Sequence, residues 1–179
     1  MPPFAEIAVL RLGHRPGRDE RMTTHIGLTS RALGADRVIF PTSASDSKAT
    51  ITDITNRFGG EFSVELSDSL TQVLDQWNGN IAHLTMYGER IQDIEDTVRN
   101  RTESTPLLII VGAEKVPFEI YNRADWNIAV TNQPHSEVAA LGVFLDHLYQ
   151  GDELDQDWPG ASERVVPQKA GKKVESEDS

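Results

Sequence analysis

Hydrophobic and polar positions along the chain alternate between two periodicities. Ile7, Val9, Leu10 and Leu12 form a first apolar run of strand character, and Arg37-Val38-Ile39-Phe40 a second, stopped by Pro41. Between them Thr24 to Leu33 reads as a helix, with Thr23 or Thr24 as its N-cap and Gly34 as its terminator. Ile51, Ile54 and Phe58 recur at helical spacing and predict a helix ended by Gly59-Gly60. Phe62, Val64 and Leu66 alternate with polar residues, as in a strand covered on one face. Leu70, Val73, Leu74 and Trp77 make a helical stripe. Ile81 to Met86 is a further core strand, followed by a helix through Ile91, Ile94 and Val98. Leu107 to Val111 is the clearest buried strand, because an unbroken apolar run suits a parallel sheet. Trp126 to Val130 is another, and Val138, Leu141, Leu145 and Leu148 line a last helix opened by Pro134 at its first position.

Strands separated by helical patterns at this spacing predict an α/β fold with a mostly parallel sheet and helices on both faces. Residues 1–150 read as one such domain. Residues 151–179 turn acidic, then Pro- and Lys-containing, and read as a tail with a short strand-like piece (Arg164-Val165-Val166) and an end disordered from Glu175 onward. The absence of cysteine excludes disulfides, thiolate metal sites and cysteine nucleophiles. No apolar run approaches the roughly 18 residues that span a bilayer, and Met1-Pro2-Pro3 lacks the basic start of a signal peptide, so a cytoplasmic protein is expected.

Charge changes the picture in two ways. The net charge of −11 argues against DNA and other polyanions as partners unless cations are clustered. They are: six of the 12 arginines fall within the first 37 residues, against five lysines in the whole chain. An acidic, lysine-poor composition is also what a concentrated-salt cytoplasm favours, since screening there makes self-repulsion cheap.

In open parallel sheets, ligands bind beyond the carboxyl ends of the strands. Three segments stand at such ends: His83-Leu84-Thr85-Met86-Tyr87-Gly88, Val111-Gly112-Ala113-Glu114-Lys115-Val116-Pro117, and Thr131-Asn132-Gln133-Pro134-His135-Ser136-Glu137. Gly112 lets a ligand approach the main chain, and the helix start near Pro134 offers free N–H groups. Such loops suit a nucleoside-type cofactor held by main chain; they serve equally as ordinary turns and caps. No Walker or Gly-x-Gly-x-x-Gly motif is present. After the first strand, Arg15, Arg18 and Arg21 lie in a loop with Pro16 and Gly17. They could clamp phosphates with bidentate forks, or pair with Asp19, Glu20 and other surface acids. The spacing of His14, His25, His83 and His135 matches no metal-ligand pattern, so no metal is expected.

Taken together, Leu10-Arg11-Leu12-Gly13-His14-Arg15-Pro16, Arg18-Asp19, Arg21, Thr24-His25 and the three segments above, the last running on through Val138-Ala139-Ala140-Leu141, resemble in residues and order the archaeal tRNA (cytidine-56) 2′-O-methyltransferases. Val166-Pro167-Gln168 and Gly171-Lys172-Lys173-Val174 are similar as well, so the likeness spans about residues 5–175. The resemblance implies a SPOUT-superfamily fold with a C-terminal trefoil knot, S-adenosylmethionine as cofactor, a homodimer, and tRNA as partner. It implies that Leu84, Gly112, Ala113, Glu114, Lys115, Val116, Val130, Thr131, Asn132, Gln133, Pro134, His135, Ser136 and Glu137 surround the cofactor. Arg18 and Arg21 are then the catalytic candidates, and Arg15, Arg18, Arg21 and His25 the RNA contacts. Many ribose-methylating relatives carry an Asn before the first long helix and an Arg within it. This chain has Thr or His and Leu28 there, which leaves three arginines in contention for one role. A methyltransferase for another RNA position, and a tRNA-elbow binder without activity, are the alternatives.

Overall fold

Six strands make one sheet in the computed structural model, which describes residues 4–112 and 115–177: β1 (Ile7–Arg11), β2 (Arg37–Phe40), β3 (Ser63–Leu66), β4 (Asn80–Arg90), β5 (Leu107–Val111) and β6 (Trp126–Ala129). They lie in the order β3-β2-β1-β5-β4-β6, and every pairing is parallel. The helices α1 (Glu20–Ala32), α2 (Ser45–Phe58), α3 (Leu70–Gln76), α4 (Ile91–Thr102), α5 (Phe118–Arg123) and α6 (Glu137–Tyr149) connect or follow them.

A parallel sheet needs cover on both faces, and the strand alternation supplies two apolar surfaces. Ile7, Val9, Val38, Leu107 and Ile109 face one core, where α1, α2, α4 and α6 contribute Ile26, Ile51, Val98 and Leu145. Ala8, Leu10, Ile39, Leu108 and Ile110 face the other, closed by Leu74 of α3 and Ile120 of α5. All five residues of β1 and of β5 are buried. Strand order reverses between these two, so their carboxyl ends mark a switch point where such sheets hold ligands.

Several boundaries depart from the periodicity. Helix α1 starts at Glu20, a turn before the expected Thr24, and neither Thr23 nor Thr24 caps it. The Asp19 carboxylate accepts from the Arg15 main-chain N–H at 2.9 Å, and the Asp19 N–H bonds to Arg15 O. That turn launches the helix early. The Thr23 hydroxyl instead meets His14 Nδ1 at 2.6 Å. Helix α6 starts at Glu137, not Pro134, because the Ser136 hydroxyl accepts from the Ala139 N–H at 3.1 Å. The periodicity does not reveal α5, which has only six residues.

Strand β4 runs to Arg90, past the expected end at Met86. Both Leu84 and Glu89 pair with Ile128, so Thr85 to Gly88 form a bulge between them. Beyond α6, β7 (Glu163–Val165) pairs antiparallel with β8 (Val174–Ser176). Glu175 and Ser176 therefore stand in a strand, where the charge pattern predicts disorder. Pairing with Arg164 and Glu163 supplies the main-chain partners that the acidic end lacks by itself. The hairpin is tied to α2 by Arg57, whose guanidinium grips Glu163 at 2.8 and 3.1 Å.

Candidate functional site

The bulge in β4 shapes one wall of a cavity of about 420 Å³ at the carboxyl edge of the sheet. His83, Leu84, Thr85, Met86 and Tyr87 line it from β4. Val111, Gly112 and Val116 line it from the end of β5 and the following loop. Pro134, His135, Glu137 and Ala140 close it from the loop after β6 and the start of α6, and Tyr121 comes from α5. Segments drawn from residues 83–87, 111–121 and 134–140 thus converge on one hollow of the size that small ligands occupy, roughly 300–1,000 Å³.

Two glycines make this geometry possible. A Cβ on Gly88 would stand 2.4 Å from the main-chain carbonyl of Asn127, which is why the bulged chain can rejoin β6 there. A Cβ on Gly112 would stand 2.5 Å from Val116 Cγ2, so a side chain here would force Val116 to shift. Asn132 pins the opposite loop: its Nδ2 donates to Met86 O at 2.8 Å and to Gly88 O at 3.1 Å.

The walls differ in character. Tyr121 packs edge-on to His83 with ring centroids 4.8 Å apart, beside Leu84 and Val116, and this side suits a flat ring. Glu137 and His135 form the polar side. Burial pushes the Glu137 carboxyl pKa up, and the Arg11 guanidinium, with Nη2 3.4 Å from Oε2, works against that shift. Arg11 is buried at the end of β1, where its Nη1 also donates to Gly13 O at 2.7 Å. The Arg11–Glu137 pair thus bridges β1 and α6 behind the cavity.

The expected site residues divide into those that share this wall and those that do not. Leu84, Gly112, Val116, Pro134, His135 and Glu137 share it. Asn132 holds the bulge, and Ser136 caps α6. Val130 is half-buried, and Thr131 and Gln133 are exposed in the same loop. Lys115 lines a neighbouring hollow with Leu12, Gly13 and Pro117. Ala113 and Glu114 lie outside the described residues.

The arginine loop lies apart from the cavity wall. Arg15 holds Asp19 with Nε–Oδ2 and Nη2–Oδ1 distances of 3.0 Å, and this contact depresses the Asp19 pKa far below the carboxylate range. Arg18 is exposed at the turn before α1. Arg21 and His25 stand one helical turn apart on α1 and, with Thr24, Asp46, Ser47 and Thr50, line a shallow hollow between α1 and α2. His14 ties the loop down, with Nε2 3.2 Å from Glu20 Oε1. Among the described residues no three His, Asp or Glu side chains converge as a metal site.

Sequence reasoning gives no site role to Arg11 or Tyr121, and places His83 only at the start of the first of the three loop segments. A signal exists for Arg11 and His83. Each is a polar residue inside an apolar strand run, Ile7-Ala8-Val9-Leu10-Arg11 and Ile81-Ala82-His83-Leu84. Burial there demands a partner.

Comparison with known proteins bears on this geometry. The model of the tRNA ribose 2′-O-methyltransferase family, aTrm56, matches residues 58–175. A tRNA (cytidine(56)-2′-O)-methyltransferase of Natronomonas pharaonis is 62% identical over 173 residues, covering 97% of this chain and 96% of that one. Its namesake from Haloquadratum walsbyi is 60% identical over 94% of this chain and 88% of its own. That of Thermococcus kodakarensis is 51% identical over 94% and 96%. Among solved structures, the SpoU methyltransferase AviRb of Streptomyces viridochromogenes, in complex with AdoMet, superposes with a TM-score of 0.55 at 14% identity. An AdoMet-bound rRNA methyltransferase from Sinorhizobium meliloti gives 0.56 at 18%. Those matches cover 84% and 83% of this chain, which spans only about three fifths of theirs (61% and 57%), and they show the fold alone.

Proposed function

Because the chain belongs to the tRNA ribose 2′-O-methyltransferase family, we infer that it methylates the ribose 2′-oxygen of cytidine 56 in tRNA with S-adenosylmethionine as donor. The observation that carries this reading is the convergence of the β4 bulge, the Gly112 loop and the start of α6 on one cavity with a flat apolar side and a polar side. An amphipathic nucleoside such as S-adenosylmethionine fits those two sides. We assign Leu84, Gly112 to Val116 and Val130 to Glu137 to its binding, with Lys115, which lines a different hollow, contributing through its main chain.

When bound, S-adenosylmethionine supplies a methyl group on a positively charged sulfur. The chain's own residues then have to orient the incoming hydroxyl and exclude water. Arg18 and Arg21 are our candidates for that orientation. An arginine stays protonated, so each orients the incoming group by donating to the 2′-oxygen or to an adjacent phosphate. Arg15, Arg18, Arg21 and His25 would contact the RNA. Since none of these lines the cavity wall, we propose a homodimer in which the arginine loop of one subunit serves the cavity of the other. We further propose that the chain between β5 and α6 is threaded as a trefoil knot, with 1–150 as the catalytic domain and 151–179 as its appended tail. No helix among the described residues is long and apolar enough to cross a membrane. The substrate implies work in the cytoplasm, and the acidic composition a salt-rich one.

The test is incubation with unmodified archaeal tRNA and labelled S-adenosylmethionine in molar KCl, followed by mass-spectrometric mapping. A single methyl on the ribose of cytidine 56 is expected. A methyl elsewhere would mean a different target, and binding without transfer a non-catalytic role. Arg21→Ala is expected to lower kcat about 100-fold.

A further inference from the structure

Cations in this acidic chain gather in two places, and the arginine loop accounts for only one of them. Two stretches of the sequence combine three or more Lys or Arg with no Asp or Glu: Ile7 to Arg18, which leads into that loop, and Arg164 to Val174. The second holds Arg164, Lys169, Lys172 and Lys173, and so three of the five lysines in the chain. It forms the turn of the β7–β8 hairpin, whose ladder is prolonged by the Val166 N–H donating to Lys173 O at 2.9 Å. All four cations are exposed. Lys173 Nζ lies 2.6 Å from Glu175 Oε1, whereas Arg164, Lys169 and Lys172 hold no carboxylate among the described residues. Arginines elsewhere, Arg37, Arg57, Arg99 and Arg123 among them, are each matched to a carboxylate.

The hairpin is anchored at its base and adds little to the core. Arg57 grips Glu163, the Ser162 N–H donates to Arg57 O at 2.9 Å, and the Glu177 N–H donates to Ser162 O at 3.0 Å. Beyond that base, the paired Val165 and Val174 are 62% and 51% exposed, so the turn is not held there for its own burial. Cations fixed on an anchored stem suit a polyanion backbone, and the acidic remainder of the surface confines such a partner to the two basic places. Helix α2 sets their separation. Its start is bound to α1 by Thr24, which donates to Ser47 at 3.0 Å beside Arg21 and His25, and its end carries Arg57 and the hairpin. From Ser47 to Arg57 the helix rises about 15 Å. We propose that the β7–β8 hairpin is a second RNA-docking element, holding the phosphate backbone of the tRNA at a stretch apart from the one at the arginine loop and so setting its orientation. The proposal rests on the reading of the protein as a tRNA methyltransferase. A lysine ammonium meets phosphate as a point charge, so this contact positions the RNA without reading its sequence.

The experiment measures binding of an unmodified tRNA transcript by fluorescence anisotropy, across a KCl series in which the wild-type protein stays folded. Lys169→Gln combined with Lys172→Gln removes two charges that hold no carboxylate within the fold. This double variant is expected to bind about tenfold more weakly at the low end of the series, and the slope of log affinity against log salt to shrink by about 2. Lys169→Arg with Lys172→Arg should restore both values. The KM for tRNA should rise in the glutamine variant while kcat at saturating tRNA holds. Hydroxyl-radical footprinting supplies the direct readout: riboses protected by the wild type and open with the glutamine variant, apart from those around residue 56. An unchanged affinity and slope, or an unchanged footprint, would overturn the proposal while leaving the methyltransferase reading intact. Loss of dimer mass in sedimentation with RNA affinity intact would also overturn it, by assigning the hairpin to a subunit contact. Failure of wild-type protein to bind tRNA saturably would remove both.

Discussion

Asp19 and Arg15 illustrate how a loop rich in like charges is held still. Three contacts from Arg15, one main-chain and two from the side chain, converge on one carboxylate, and Arg11 adds a more distant attraction. The folded-state pKa is depressed, so the native protein binds this proton more weakly than the unfolded chain. The resulting stability is present above the unfolded value of about 3.9 and is lost as pH falls below it. Asp19→Asn is therefore expected to lower the melting temperature at pH 7 and to flatten the fall of stability below about pH 4, measured by calorimetry across that window. His83 follows the same sign for a different reason. Burial lowers its pKa, so stability from keeping it neutral is present above about 6.5 and declines on acidification. Both residues stand out in the sequence, one beside arginines and one in an apolar run. Their partners, Arg15 at i−4 and Asn127 on another strand, are respectively readable and unreadable there.

At the level of elements, apolar runs and helical stripes locate all six strands of the main sheet and five of the six helices. They miss α5 because six residues hold too few turns to show a period. Caps were harder to read. Pro134 suits a first helical position, yet Ser136 supplies the hydrogen bond that starts α6, and the two residues are only two apart. Ser136→Ala is expected to cost about 1 kcal/mol, read by urea denaturation, and to weaken cofactor binding by loosening the loop before α6. The β4 bulge is a larger matter. Gly88→Ala would set a methyl group against the main chain of Asn127 and Ile128, which cannot give way as a flexible side chain could. Loss of S-adenosylmethionine binding is expected even where circular dichroism shows the sheet retained, because only the rejoining of β4 to β6 would be disturbed.

The whole molecule carries −11 net charges with five lysines, and its ion pairs are built mostly from arginine. In molar salt the Debye length is about 3 Å, and repulsion between acids is muted. The melting temperature is expected to drop when KCl is lowered from molar to about 0.1 M; a flat response would remove the salt-adapted reading. The tail is a structural participant at this scale. Trp158 lies under the Arg31 guanidinium at 4.5 Å, and the Gly60 N–H donates to Pro159 O. Trp158→Ala is expected to destabilise the protein by about 2–3 kcal/mol in urea titration, through lost packing and the cation–π contact. Composition and periodicity by themselves determined the α/β class, the parallel sheet and the segments at its carboxyl edge, because burial periods and strand-breaking residues are local properties. The motif order carried the family. Tertiary structure alone decided that three distant segments share one cavity, that Arg11 braces Glu137, and that Asn127 bonds to the His83 ring. Each of these depends on which strands become neighbours, and sheet order, unlike periodicity, is set by contacts between residues far apart in the chain.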